Sequence, residues 1–328
     1  MDLAKELGFS WAASVVNKVL RRYLREKEKF TTLYLTKPSL MMAHPGWLIK
    51  AVKDAWPDCW EDIILSNQCI PLKWLNVASQ EQKTHLLAQF GPQISESKLV
   101  STALSIHKNE IIKAFFDKGH NWGYMQDVAA QMLSLVIKQL PKPKKVLDAC
   151  AAPGGKAFIL LRDYDDIDLT CVDVDVARIE VLKQNIDRFA SQKKVSIIQK
   201  DWLSNTDQEA GLFDLIVLDA PCSGSGIIKR HPEKKFNPWD LNELIPIQQK
   251  MLENIWHTLN PGGHLIYATC SILRKENALQ IEAFIAGHKD VEVVDIHLPT
   301  GLKETFGWQL LPRSEMDGHY FAVLKKSS

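Results

Sequence analysis

The sequence predicts an α/β protein: a mostly parallel β-sheet covered by helices on both faces, with a small α+β module and N-terminal helices in front of it. Three observations predict this. From about Lys145 onward, short apolar runs alternate with longer segments of helical periodicity, the pattern of strands buried on both faces. Between about Pro71 and His120 the runs are shorter and surround one helix-like stretch. Ahead of Pro71 the apolar spacing is helical.

In chain order, residues 1 to about 28 read as helix, because Trp11, Val15, Val19 and Tyr23 recur at helical spacing with arginines opposite. Residues 45–66 read as two short helices: Pro45 sits where a first turn begins, and Pro57 marks a break. Residues 72–77 and 99–106 read as extended, and 80–90 as helix. Strands follow at 146–150, 169–173, 195–199, 215–219 and 264–268, with helices at 175–189 and 244–259. Asn260-Pro261-Gly262-Gly263 reads as a turn before the fifth of these strands. The expected organisation is a helical segment over 1–66, an α+β module over 67–124 and a main domain over 125–328.

Bulk properties narrow the classes. A chain of 328 residues has room for more than one domain. With 46% hydrophobic and 24% charged residues, it reads as globular rather than disordered. No apolar run is long enough for a transmembrane helix, and the N-terminus lacks a signal-peptide pattern, so a cytoplasmic protein is expected. The six cysteines stand in no Cys-x-x-Cys pattern, so neither a disulfide framework nor a metal site is expected. A net charge of +1 leaves nucleic-acid binding open, because phosphate contact depends on local patches. Two patches qualify: Lys18, Arg21, Arg22 and Arg25, and then Lys229, Arg230 and His231 with Lys234 and Lys235.

Candidate site residues cluster at the carboxyl ends of the main-domain strands, where open parallel sheets bind ligands. The first strand runs into Asp148-Ala149-Cys150-Ala151-Ala152-Pro153-Gly154-Gly155-Lys156, a glycine turn leading into a helix N-terminus. This is not the dinucleotide fingerprint. The second strand ends at Asp173, suited to ribose hydroxyls, and the third at Asp201, suited to an adenine amino group. A glycine loop and two acids in succession point to an adenosine-containing cofactor. Each aspartate also suits a turn cap. The fourth strand ends in Asp219-Ala220-Pro221-Cys222-Ser223-Gly224 and the fifth in Thr269-Cys270-Ser271. A lone cysteine after an apolar strand is usually a buried small hydrophobe, which suits Cys171 and Cys150. Two thiols at adjacent strand ends, one beside a carboxylate, suit covalent catalysis.

These three motifs together resemble the RNA (cytosine-5-)-methyltransferases of the RsmB/Sun/Fmu type, within the NSun superfamily. Ile228-Lys-Arg-His-Pro-Glu233 and Ala268-Thr-Cys-Ser-Ile-Leu-Arg-Lys-Glu-Asn277 are most similar to the bacterial RsmB branch, which modifies small-subunit (16S) ribosomal RNA. The resemblance covers residues from about 45 to the end, with residues 9–22 similar to the last helices of a shortened NusB-like RNA-binding region. It implies a Rossmann-like fold with a mostly parallel seven-stranded sheet, dependence on S-adenosyl-L-methionine, and RNA as partner to a monomeric enzyme. It further implies Cys270 as nucleophile and Cys222 as the cysteine that helps release product. Cys150, Ala151, Ala152, Pro153, Gly154, Gly155, Lys156, Asp173, Asp201 and Asp219 match cofactor-contacting positions, and Lys156 also reaches toward the reacting centre.

The chemistry suits these residues. Carbon 5 of cytosine is a poor nucleophile until a thiolate adds to carbon 6. Proton donation to ring N3 helps that addition, and Asp219 serves if burial keeps it protonated. The residues near Lys229 and the α+β module are expected to supply RNA backbone contacts. Trp122 and Tyr124 suit base stacking, though core packing is the better expectation. A DNA cytosine methyltransferase would instead use the Pro-Cys cysteine as nucleophile. A ribosome-assembly factor with a decayed fold, or an enzyme acting on tRNA or another RNA, remains the alternative.

Overall fold

A computed structural model describes residues 6, 8–108, 110–112, 122–190, 192–204, 212–236 and 241–327. The chain forms two compact units, residues 1–51 and 52–328. The first unit holds helices α1 (Ala12–Arg25), α2 (Lys27–Thr36) and α3 (Pro38–Met41). The single helix expected to about residue 28 divides here, because Glu26 leaves helical geometry (φ −109°, ψ 23°) and serves both helices as a cap. Residues 1–5 and 7 of that expectation lie outside the described residues. Trp11, Val15, Val19 and Tyr23 are exposed on this unit. Helix α4 (Gly46–Ala55) spans the boundary, and α5 (Trp60–Ser66) follows the break at Pro57.

The second unit contains two sheets. The small one is antiparallel, ordered β2 (Ile94–Glu96), β3 (Ala103–Ile106), β1 (Lys73–Val77) and β4 (Gly123–Met125). Helix α6 (Gln80–Phe90) starts where Ser79 Oγ accepts from the Gln82 amide at 3.1 Å, an N-cap that satisfies an orphan donor. Side chains alternate across β1: Leu75 and Val77 pack with Leu86 of α6, while Trp74 joins the core of the main sheet. Trp122 packs in the small core, its ring 6.1 Å from Phe90.

The main sheet has five parallel strands at its centre, ordered β7 (Val195–Gln199), β6 (Asp168–Asp173), β5 (Lys145–Asp148), β8 (Phe213–Asp219) and β9 (Leu259–Thr269). Antiparallel β13 (His319–Lys326) pairs with β9. Its outer edge is shared by β12 (Trp308–Leu310) and β10 (Val291–Val294), with β11 (Leu302–Lys303) beyond β12. The expected mostly parallel sheet is present. Among the described residues nine strands enter it rather than seven, because two short strands sit in line along β13 and one more extends past them. The expected turn at 260–263 is instead an excursion within β9: Leu259 already pairs with Phe213, and His264 resumes the ladder opposite Leu215.

Burial on both faces explains the unbroken apolar strands. Leu215 and Val217 of β8 face one core, with helices α7 (Val128–Gln131), α8 (Leu133–Ile137), α9 (Gly155–Asp163) and α10 (Val176–Ala190). Ile216 and Leu218 face the other, with α11 (Leu241–Trp256) and α12 (Ala278–Gly287). Every central strand therefore ends at the same edge, and the segments that follow collect there.

One sequence expectation is overturned. Lys229 and Arg230 do not form a phosphate-binding patch. Lys229 is buried, donates to the Arg313 and Met316 carbonyls and pairs with Asp317 at 3.4 Å. Arg230 bridges Asp317 (2.5 Å) and Asp127 (2.6 Å) and donates to the Leu72 carbonyl at 2.7 Å. Two carboxylates that would otherwise sit buried among backbone carbonyls require these cations, so the charge is spent inside the fold. Removing Arg230 takes from Asp127 its 2.6 Å cation and leaves Asp317 with Lys229, 3.4 Å away. Arg230→Met is expected to lower unfolding free energy by about 3–5 kcal/mol in denaturant titration. The salt dependence of RNA binding by the folded variant is expected to stay as in the parent; a shallower salt slope would restore Arg230 to the RNA surface.

Candidate active site

The segment after β5 turns sharply into α9. Gly154, at the N-cap, adopts φ 113°, a left-handed conformation that other residues adopt only with strain. A Cβ there would stand 3.1 Å from Leu182 of α10, so Gly154 closes the turn and the helix packing. Asp173, at the end of β6, ties this loop down. Its carboxylate accepts from the Ala152 amide at 3.0 Å and the Asp175 amide at 3.1 Å, with Arg178 3.6 Å away. Asp201 accepts from the Leu203 amide at 2.9 Å, so it is a turn cap as well as a wall residue.

A cavity of about 520 Å³ opens at this strand edge, within the range of small-molecule sites. Cys150, Asp173, Asp201, Asp219, Cys222 and Cys270 all line it. Its apolar wall includes Trp202, fixed by an indole N–H donated to the Ala149 carbonyl at 2.8 Å, and Met251. A second pocket of about 200 Å³ lies against the other side of the loop. Ala151, Ala152, Pro153, Gly155 and Lys156 line this one, and Cys150 and Asp219 border both. Tyr124 lines it too, with its ring 6.0 Å from Phe158 in the core. Gly154 lines neither.

The two cysteines meet: Cys222 Sγ and Cys270 Sγ are 3.4 Å apart. Both thiols are free, and the parallel pairing of Asp219 with Ala268 sets the two loops side by side. The hydrogen bond to Cys270, together with burial, pushes the Cys222 thiol well above its usual value. Cys222 therefore keeps its proton and can donate it toward Cys270 Sγ. Burial and the Asp219 charge push Cys150 up as well, which keeps that thiol neutral.

Lys156 Nζ, almost wholly buried, donates to Asp219 Oδ2. Burial acts to lower the lysine, but the Asp219 carboxylate outweighs it and the net direction is up. Lys156 therefore holds its proton where it donates to Asp219 Oδ2. Nearby, burial pushes His319 down to about 3, so its imidazole is neutral. Burial also raises Asp148, at the end of β5, to about 7.

Sequence reasoning missed several neighbours. Arg178 and Lys200 line the larger cavity, and Lys234, assigned only to a surface patch, reaches over the Cys222 loop to the Ser223 carbonyl at 3.2 Å. Glu276 is fully buried beneath both cysteine loops. Its position six residues after Cys270, within the polar run Arg274-Lys275-Glu276-Asn277, reads as exposed and gave no signal of burial. Among the described residues, no cluster of three or more acids, histidines or cysteines is arranged for a metal, and no helix is long and apolar enough to cross a membrane.

The chain that carries this cavity has relatives among known proteins. Residues 135–325 match the model of the 16S rRNA methyltransferase RsmB/F family, and residues 44–112 match that of the ferredoxin-like domain of RsmF/B-like methyltransferases. The chain is 37% identical to the ribosomal RNA small subunit methyltransferase B of Shewanella oneidensis, over all of this chain and 76% of that protein. It is 34% identical to the probable ribosomal RNA small subunit methyltransferase B of Coxiella burnetii, over 99% and 77% of the two chains. The crystal structure of a methyltransferase homolog protein from Pyrococcus horikoshii shares the fold: TM-score 0.73 at 22% identity, over 88% of this chain and 97% of that one. By sequence over its whole length and by fold, the chain belongs to the 16S rRNA methyltransferase RsmB/F family.

Proposed function

We propose that the protein methylates carbon 5 of a cytosine in small-subunit (16S) ribosomal RNA, drawing the methyl group from S-adenosyl-L-methionine. Cys270 is the covalent nucleophile and Cys222 assists release. The observation that carries this reading is the 3.4 Å contact between two free thiols beside the Lys156–Asp219 pair, at the rim of a cavity. The RNA assignment draws on relatives from Shewanella oneidensis and Coxiella burnetii, both named for the small ribosomal subunit. Residues 67–124 are assigned to RNA binding and 125–328 to catalysis.

The donor set fits the cofactor. Asp173 suits the ribose hydroxyls, Asp201 the adenine amino group and Trp202 the adenine face. Three carboxylates and three cations, Arg178, Lys200 and Lys234, line the one cavity, which suits a ligand carrying charges of both signs. When bound, S-adenosyl-L-methionine supplies an electrophilic methyl group.

The chain's own residues make the cytosine able to accept that group. The Cys270 sulfur adds to carbon 6, breaking the 5,6 double bond and placing electron density on carbon 5. Lys156 holds a proton against the N3 side of the ring as negative charge develops there, and Asp219 anchors the ammonium. After carbon 5 is methylated, water takes its proton, the freed pair re-forms the 5,6 double bond, and the Cys270–carbon 6 bond breaks with its electrons returning to sulfur. Cys222, protonated and next to Cys270, shields and protonates the departing sulfur. A paired base cannot reach these groups, so the target is unpaired or extruded at a cost of a few kcal/mol.

Cys270→Ala is expected to abolish methyl transfer while calorimetry still detects cofactor binding, since Asp173 and the glycine loop are untouched. Turnover in that variant removes Cys270 from the nucleophile's role. Cys222→Ala is expected to accumulate protein linked to RNA, visible as a shifted band on a denaturing gel; a band at the parent position counts against a releasing role. Bisulfite sequencing of cellular RNA with and without the gene identifies the substrate. A protected cytosine lost from 16S ribosomal RNA is expected, and one lost only from tRNA moves the enzyme to another RNA.

A further inference from the structure

The two cysteine loops are fastened to each other from below by a single carboxylate. Glu276 has no exposed surface and accepts four hydrogen bonds. Its Oε1 takes the Ser223 amide at 2.8 Å and Gln248 Nε2 at 3.0 Å. Its Oε2 takes the Ser223 hydroxyl at 2.6 Å and the Ser271 hydroxyl at 2.5 Å. All four donors are neutral. A buried carboxylate held only by neutral donors is costly, and it persists where its geometry is required.

The donors' positions give that geometry its meaning. Ser223 directly follows Cys222, and Ser271 directly follows Cys270. One carboxylate thus holds the residues next to both sulfurs. Glu276 is itself fixed, since its own carbonyl accepts from the Tyr267 hydroxyl at 2.8 Å. Further ties keep the loops adjacent without it. Ser225 and Ser271 hydroxyls are 2.9 Å apart, and the Gly226 amide donates to the Cys270 carbonyl at 2.9 Å. A Cβ at Gly226 would stand 2.8 Å from that carbonyl oxygen, which shows how closely the loops run. Losing Glu276 is therefore expected to shift the loops rather than separate them.

We infer that Glu276 is a positioning residue: it bolts the Cys222 loop to the Cys270 loop and so sets the sulfur–sulfur spacing on which release of the RNA adduct depends. The inference rests on the covalent reading proposed above. Addition by Cys270 requires only one sulfur, whereas expulsion of that sulfur requires Cys222 beside it. Loosening the bolt therefore impairs release more than substrate binding.

The test compares Glu276→Ala, Glu276→Gln and Ser223→Ala with the parent and with Cys222→Ala, using S-adenosyl-L-methionine and a 16S-derived transcript. For Glu276→Ala, kcat is expected to fall about 100-fold with KM little changed, the size of effect that a misplacement of about 1 Å produces. RNA-linked protein is expected to build up on a denaturing gel, as in Cys222→Ala. Glu276→Gln keeps the shape, and serine hydroxyls can turn to accept from its amide. It is expected to restore kcat to within about tenfold of the parent and to leave no linked band. If Glu276→Ala does not fold, Ser223→Ala, which removes one strut, is expected to give a weaker linked band; parental behaviour there overturns the inference. Parental turnover in folded Glu276→Ala, or a Glu276→Gln as impaired as the alanine variant, also overturns it. A linked band in Cys222→Ala but none in Glu276→Ala sinks the positioning role alone. No linked band in either sinks the releasing role of Cys222 and takes this inference with it.

Discussion

The site depends on one contact, the approach of Cys222 and Cys270 to 3.4 Å. Parallel pairing of β8 with β9 brings the two strands out at one level, with Asp219 opposite Ala268. Beyond that level the loops have no ladder to hold them. Serine hydroxyls, the Glu276 carboxylate and one backbone hydrogen bond take over. The sheet thus brings the loops to the same edge, and a small polar core beneath them fixes the separation of the sulfurs. Polar groups in an apolar interior are tolerated here because every donor has an acceptor.

Charge is handled by the same economy. Lys229, Arg230 and Lys234, which a surface reading would offer to RNA, have partners inside the protein. Arg230 neutralises Asp127 and Asp317, joining the segment after the small sheet to the loop before β13. Lys156 neutralises Asp219 at the cavity rim. The first pair holds the scaffold, and the second keeps a proton close to where a base would sit. Desolvation makes both pairs expensive to break, and the Asp219 charge outweighs it to keep the Lys156 ammonium charged.

The central strands were legible because burial on both faces imposes continuous apolar runs, as at residues 215–218, and because glycine and proline mark the ends. The cofactor loop and both cysteine motifs were legible because strand ends in a parallel sheet share an edge. Three kinds of feature were not. Strands β10 and β12 are short and take their place only by pairing along β13, and β11 only by pairing with β12. Lys229 and Arg230 look like a basic patch until tertiary structure supplies Asp127 and Asp317, far off in the chain. Glu276 and Asp219 depend on partners, four neutral donors and one ammonium, that no local pattern reveals.

The most direct measurement is peptide mapping after reaction with RNA carrying 5-fluorocytidine at the target. Fluorine cannot leave carbon 5 as a proton does, so an adduct that forms persists. Mass spectrometry of the nuclease- and protease-digested complex is predicted to find a methylated fluoropyrimidine nucleotide on the peptide containing Cys270. A nucleotide on the Cys222 peptide, or methylated RNA with no adduct on either, contradicts the account.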